Sequence, residues 1–219
     1  MRVTVLDDVD QPRVAALLRE LRGELMIYKF AVDELMTKLK ILSEEFDFAH
    51  QHDPIEHIIS RVKRPEAIVR KLRRKGHEPA IEAVREHIDD VAGIRVVCPF
   101  VPDVYMVAGM LGRQDDVEIV KTKDYIDDPK PNGYRSLHLI VRIPVFLSDR
   151  VEHVKVEIQM RTIAMDFWAA VEHKLFYKYD GEAPAGFGEE LRAAAITAAD
   201  LDRRMTALHE RAQTSSSEP

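Results

Sequence analysis

Cysteine and tryptophan occur once each in the 219 residues, as Cys98 and Trp168. One thiol cannot close an intramolecular disulfide, which excludes a cross-linked secreted scaffold, and Cys98 inside the apolar run 94–100 reads as a small buried thiol. Trp168 reads as core rather than as a ligand contact. Long hydrophobic stretches are also missing: no uncharged run approaches the ~18 residues of a membrane span. The first ten residues carry Asp7, Asp8 and Asp10 where a secretory leader needs a positive start and an apolar stretch. A cytoplasmic chain with no membrane partner is the expectation. Glycine is sparse, nine in all, and forms neither a P-loop nor a dinucleotide-binding loop, so any bound phosphates must be held by side chains.

What the sequence does have is charge, unevenly placed. The formal net charge is −6, which argues against a general binder of nucleic acid or anionic lipid. Yet Arg61, Lys63, Arg64, Arg70, Lys71, Arg73, Arg74 and Lys75 face a single acid, Glu66, within fifteen residues, a local balance of +7 that leaves −13 for the rest. Such clustering is self-repulsive unless a counter-charge is held there or the cations line a solvated helical face. A second group, Lys121, Lys123, Lys130, Arg135 and His138, lies about sixty residues on. Two basic blocks suggest two polyphosphates.

Apolar residues at three-to-four spacing over 11–46 predict one long helix or two consecutive ones, with Gly23 a weak interruption. Pro65 and Glu66 suit the first turn of a further helix on which Arg70, Lys71 and Arg74 share a face. Strands are predicted over 91–98, 117–120, 137–143 and 151–158, a helix over 103–111, and closing helices over 164–179 and 189–211. This alternation makes an α/β sheet the expected architecture. In the loop before the third strand, Asn132-Gly133 predicts a tight turn, after which Tyr134, Ser136 and His138 share one strand face. Tyr134 could stack on a nucleobase with His138 near phosphate or ribose, or it could be a solvated hairpin tyrosine. Polyphosphate chemistry calls for a divalent cation. Asp90 before one apolar strand and Glu157 within another are the candidate ligands, unless Glu157 faces outward on an edge strand.

In order along the chain stand Arg61-Val-Lys63, Asp90-Val-Ala-Gly-Ile-Arg95, Lys123-Asp-Tyr125, Lys130-Pro-Asn-Gly-Tyr-Arg-Ser-Leu-His138, Val156-Glu-Ile-Gln-Met-Arg-Thr162, Met165-Asp-Phe-Trp168 and Glu172-His-Lys174. This series resembles the synthetase motifs of the RelA/SpoT homologue family, most closely the single-domain small alarmone synthetases. The resemblance implies a nucleotidyltransferase-like α/β (α+β) fold, a mixed sheet flanked by helices with helical extensions at both ends. It implies Mg2+-dependent transfer of the ATP β,γ-pyrophosphoryl group to the 3′-hydroxyl of GTP or GDP, giving AMP and pppGpp or ppGpp in the stringent response. By matching position, Arg61 and Arg95 sandwich the adenine, Lys63, Lys71 and Arg74 bind ATP phosphates, and Asp90 and Glu157 hold the metal, Glu157 doubling as a plausible base. Tyr134 stacks on guanine, with Lys123, Lys130, His138 and Gln159 around the acceptor and Asp166 a candidate for the guanine edge.

Residues 1–10 then form a leading segment, 11–212 one synthetase domain (motif core about 55–180, helical extensions 11–50 and 189–212), and 213–219 a disordered tail. The 55 or so residues before the motifs leave no room for the hydrolase domain of longer members. His52-Asp53 imitates a hydrolase motif, and with His50 and His57 invites a zinc reading that no wider ligand set supports. The resemblance also implies a homotetramer built on the terminal helices, and regulation by (p)ppGpp or single-stranded RNA, with Lys38, Lys40 and His57 as candidate contacts. The competing readings are a nucleic-acid-binding module using residues 61–75 and a nucleotidyltransferase with another acceptor.

Overall fold

A computed structural model describes residues 11–178 and 186–216. Helix α1 (Gln11–His50) is followed by strand β1 (His57–Val62), helices α2 (Pro65–Arg74) and α3 (Ile81–His87), strand β2 (Ala92–Cys98) and helix α4 (Val101–Gly112). Strands β3 (Glu118–Asp124), β4 (Leu137–Phe146) and β5 (Val151–Thr162) come next, then helices α5 (Ile163–Lys178) and α6 (Phe187–Ser216). The five strands form one sheet in the order β1-β2-β5-β4-β3. Only β2 and β5 run parallel; the other neighbours are antiparallel. This is the mixed, helix-flanked sheet the motifs implied.

α1 is a single helix of 40 residues. Its stripe Leu21, Leu35 and Leu39 is fully buried, and each such leucine contributes ~1.5–3 kcal/mol, against about 1 kcal/mol lost at Gly23. The stripe packs across β1, β2, β4 and β5. The strands answer with Ile94, Val96, Leu139, Val141, Val156, Ile158 and Met160, all buried. Because side chains alternate across a strand, the residues between them face the other way. Arg95, His138, Glu157 and Gln159 therefore share the opposite face. α5 and α6 pack together at one end of that face around Trp168, Ala169, Leu191 and Ala195, with Tyr134 against them. Trp168 is core, as read from the sequence, and its Nε1 donates to Leu191 O at 3.0 Å.

Several boundaries differ from expectation. β1 and α3 are not legible in the sequence: β1 is an edge strand exposing most of its residues, and α3 buries only Val84. β3 extends to Asp124 through Lys121-Thr122-Lys123, wholly exposed residues with no apolar signal. Ser136 does not sit in a strand beside Tyr134, because β4 starts at Leu137. Residues 133–136 run irregularly, with Ser136 buried and its Oγ donating to Met160 O at 3.0 Å. The closing helices run 163–178 and 187–216, so residues 213–216 of the expected tail continue α6. Residues 1–10, 217–219 and Tyr179 lie outside the described residues.

Candidate active site

Two carboxylates anchor the polar face. Glu157 lies in mid-β5, paired in register with Gly93 of β2. Asp90 stands in the turn that feeds β2, and that turn is tied to β5 by Lys155, whose Nζ donates to Asp89 Oδ1 at 2.7 Å and to Glu86 O at 3.1 Å. Lys63 N donates to Val91 O at 2.8 Å, continuing the β1–β2 pairing and bringing Lys63 beside Asp90. Lys63 Nζ and, from α2, Lys71 Nζ both reach Asp90 Oδ2, at 2.6 and 2.7 Å. Burial alone would raise the Asp90 pKa, but the hydrogen bonds and charges of the two lysines outweigh it and hold the carboxyl below its ordinary range. Asp90 Oδ1 is buried with no protein partner.

At Glu157 burial again pushes the pKa upward. His138 and Gln159 overcome it, while the charge of Asp90 works against them, and the net shift is downward. That mutual repulsion places the two acids within electrostatic reach of each other. Glu157 thus faces the site and not solvent on an edge strand. Among the described residues no cluster of three or more metal-ligating side chains occurs. A pair of carboxylates, one with a vacant buried oxygen, nevertheless fits Mg2+, which commonly takes one or two protein carboxylates and completes its shell with water and substrate phosphates.

Cations and arginine planes lie on one side of this pair. Arg61 crosses over Gly93, its Cγ and Nε each 3.8 Å from where a Cβ would sit. Arg95, diagonally placed on β2, has a buried Nε without a partner, and its Nη1 lies 3.3 Å from Asp166 Oδ1. These residues line a cleft with Ile59, Ser60, Glu157 and Gln159. Arg74 is exposed on α2, one turn beyond Lys71.

Aromatics lie on the other side. Tyr134 Oη and His138 Nε2 are 2.8 Å apart. Lys130 Nζ sits 4.7 Å from the ring centroids of both Tyr125 and Tyr134, a cation held by two π faces. Lys123 of β3 is in register with His138, which is in register with Gln159. The loop is set by Asn132, whose Oδ1 accepts from Tyr134 N at 3.1 Å and whose Nδ2 donates to Glu172 at 3.3 Å. Gly133 has φ +90°, and an added Cβ would lie 2.5 Å from Ala195 Cβ on α6. Left-handed strain and overpacking act together here, so Gly133→Ala is expected to cost about 2–4 kcal/mol. Urea denaturation checks this; a loss under about 0.5 kcal/mol would show that the loop is free to move away from α6.

The sequence reading missed Tyr125 and Arg161. Arg161 lies two and four residues beyond Gln159 and Glu157 on the same strand face, a period-two signal that could have found it. Asp166, expected at the guanine edge, has its Oδ1 engaged by Arg161 at 3.1 Å and by Arg95 at 3.3 Å. Lys38 is separated from the other proposed regulatory contacts: it pairs with Asp116 at 2.9 Å, whereas Lys40 and His57 line a different cleft. Of the histidines, His52 is bound to the buried Asp103 at 2.8 Å and His50 to Phe46 O at 3.1 Å.

The chain's similarities agree with this geometry. A model of the region found in RelA and SpoT proteins matches residues 60–182. The GTP pyrophosphokinase YwaC of Bacillus subtilis is 50% identical over 205 residues, covering 94% of this chain and 95% of that protein. The crystal structure of small alarmone synthetase 2 from Bacillus subtilis superposes with TM-score 0.80 at 50% identity, over 88% of this chain and 99% of the other. That of small alarmone synthetase 1 from the same organism, bound to its product pppGpp, has TM-score 0.81 at 38% identity, over 89% and 99%. A family match across more than half the chain, with half the residues identical to one member along almost its full length, shows that the chain belongs to the RelA/SpoT family, among the small alarmone synthetases.

Proposed function

We propose that this chain catalyses Mg2+-dependent transfer of the β,γ-pyrophosphoryl group of ATP to the 3′-hydroxyl of GTP or GDP, releasing AMP and forming pppGpp or ppGpp in the cytoplasmic stringent response. The observation that carries this reading is the gathering of Asp90 and Glu157 on one sheet face between two differently equipped flanks. Arg61 and Arg95 offer planes for the adenine, and Lys63, Lys71 and Arg74 offer charge for the ATP phosphates. Tyr134 offers a ring for guanine, with Lys123, Lys130, His138 and Gln159 around the acceptor ribose and phosphates, and Asp166 is within the same network. A backbone-binding nucleic-acid module is less well supported, because Lys63 and Lys71 turn inward to Asp90 rather than outward.

In the reaction the 3′-oxygen bonds to the β-phosphorus as the bond from that phosphorus to the α-phosphate oxygen breaks, and AMP carries the leaving electron pair. Glu157, kept ionised by its donors, accepts the 3′-hydroxyl proton. Asp90 and Glu157 would hold Mg2+, which supplies charge neutralisation at the phosphate oxygens when bound. Positioning and electrostatics carry the remaining acceleration, since phosphoryl transfer needs little covalent help from protein. Purified protein given ATP, GTP and Mg2+ should release AMP and pppGpp, resolved by anion-exchange chromatography, and chelation should stop it. Absence of both products overturns the reading.

Loss of the stacking ring should weaken acceptor binding: Tyr134→Ala is expected to raise the KM for GTP about tenfold, in line with ~1–3 kcal/mol per stacked base. Steady-state titration of GTP at saturating ATP measures it, and an unchanged KM removes Tyr134 from the acceptor site. A homotetramer is the proposed assembly, supported by apolar side chains left exposed on α5 and α6, among them Phe167, Leu201 and Met205; light scattering reads its mass. Regulation by (p)ppGpp or single-stranded RNA would use the Lys40–His57 cleft, and initial rates unaffected by either ligand would exclude it. No described helix is long and apolar enough to cross a membrane.

A further inference from the structure

Asp166 touches both flanks of the site. It stands in the first turn of α5. That turn is fixed by Thr162, whose Oγ1 accepts from Met165 N at 3.2 Å and donates to the buried Asp202 Oδ2 at 2.7 Å. Asp166 Oδ1 pairs with Arg95 Nη1 at 3.3 Å on the donor flank and with Arg161 Nη1 at 3.1 Å on the acceptor flank. The side chains of Asp166 and Arg161 are 18% and 6% exposed, so their charges meet largely out of water, where ion pairs are screened little.

Each arginine carries the contact on to a platform for one base. Among the described residues Asp166 is the one charged partner of Arg95, whose Nε is buried and unbonded. A guanidinium that stacks on a base needs its plane fixed and its face clear, and a contact at one in-plane Nη gives both. Arg161 donates through Nη2 to Tyr134 Oη at 2.6 Å and to Gln159 Oε1 at 2.9 Å, and its Nε meets Ser136 Oγ at 3.4 Å. Held by Asp166 at one nitrogen, Arg161 grips the phenol of Tyr134 by its rim with another and ties that ring to α5.

We infer that Asp166 is a positioning residue for both bases: directly through Arg95 for the adenine, and through Arg161 and the Tyr134 ring for the guanine. The inference rests on the proposed function in assigning Arg95 to adenine and Tyr134 to guanine. Asparagine at 166 keeps the shape of the side chain but removes the charge that two guanidinium groups share. Arg95 is then released, and Arg161 is left with the neutral Ser136, Tyr134 and Gln159, so both platforms loosen at once.

The test reads the two sites separately, by calorimetry on the whole chain with Mg2+: a non-hydrolysable ATP analogue alone, then GDP alone. Asp166→Asn should raise both dissociation constants, each about fivefold, within the range over which residues of one network couple. In an Arg95→Ala background the same substitution should change analogue affinity by less than about twofold, because its route to the adenine is already gone. In Tyr134→Phe, which keeps the ring and loses the hydroxyl that Arg161 holds, it should change GDP affinity by less than about twofold. If Asp166→Asn does not fold, Asp166→Ser, which admits water to both guanidinium groups, takes its place in every arm. Analogue affinity left unaltered by Asp166→Asn overturns the inference and confines Asp166 to the acceptor. An undiminished loss in Arg95→Ala or in Tyr134→Phe overturns it as well, by showing a general structural fault or a direct contact with guanine. If the wild type makes pyrophosphorylated product and either of these results is found, the inference falls and the reaction stands. A wild type that binds neither nucleotide overturns both.

Discussion

Glu157→Gln is expected to abolish turnover, lowering kcat by ~10²–10⁴, the span typical of losing a general base, while ATP still binds. The substitution keeps the shape of the side chain and removes its charge. A neutral amide cannot take the 3′ proton, and it brings an NH2 group to a site where Gln159 Nε2 already donates. The residues proposed for the ATP base and phosphates, Arg61, Arg95, Lys63 and Lys71, lie on the other flank, and the side-chain partners of Glu157 are Gln159 and His138 instead, so donor affinity should change by only a few-fold. AMP release under saturating substrates measures the first effect, and calorimetric titration with a non-hydrolysable ATP analogue measures the second. Turnover within tenfold of wild type would remove Glu157 from the chemistry. Lost analogue binding would show instead that its main work is assembling the donor site.

Asp90→Ala should damage both stability and activity. Lys63 and Lys71 converge on one oxygen of Asp90, with all three side chains at or below 23% exposure. Removing the shared carboxylate leaves two like charges side by side and partly desolvated, expected to cost about 2–4 kcal/mol after allowing for the solvent that reaches them. Stability should be recovered selectively by a polyphosphate. An anion that enters between the lysines binds the native state alone, and saturating it to 100 times its dissociation constant restores about 2.7 kcal/mol. Urea melts with and without ATP, in the absence of divalent cations, test this. An ATP-induced stabilisation no larger than that of wild type would separate the lysine pair from phosphate binding.

The same site predicts how acid acts. Asp90 and Glu157 both titrate below their ordinary values of 3.8 and 4.5 in the folded chain. A depressed native pKa contributes stability that is fully present above the unfolded value and lost as pH falls from there through the native one. The wild type should therefore weaken as pH drops below about 4.5, and Asp90→Ala should show a shallower loss over that window. Equal slopes in pH-dependent urea melts would mean that other carboxylates set the acid limb.

Much of the site was legible as residue types in order. The basic segment 61–75, the acids at 90 and 157, and the aromatic loop at 134 are local facts of the chain, and from that segment the structure brings Arg61, Lys63 and Lys71 to the acids. β1 was hidden because an edge strand with both faces largely wet has no buried alternation to display. α3 was hidden because seven residues with one buried side chain carry no periodicity. Arg161 was passed over because an arginine closing a strand looks like a solvated end until its surroundings are known.

Amino-acid order alone settles the long helices and the buried strands, since 3.6- and 2-residue periods are properties of neighbouring residues. It also settles which charges are available to two polyanionic substrates. It does not settle that β2 lies beside β5, a parallel pairing of segments some sixty residues apart that brings Asp90 and Glu157 into electrostatic reach. Nor does it settle that Lys63 and Lys71 close on one oxygen, or that Arg161 is buried among acceptors. Register, burial and hydrogen-bond geometry depend on groups distant in the chain, and only the packing of α1 and α5 against the sheet, with α6 laid on α5, decides them.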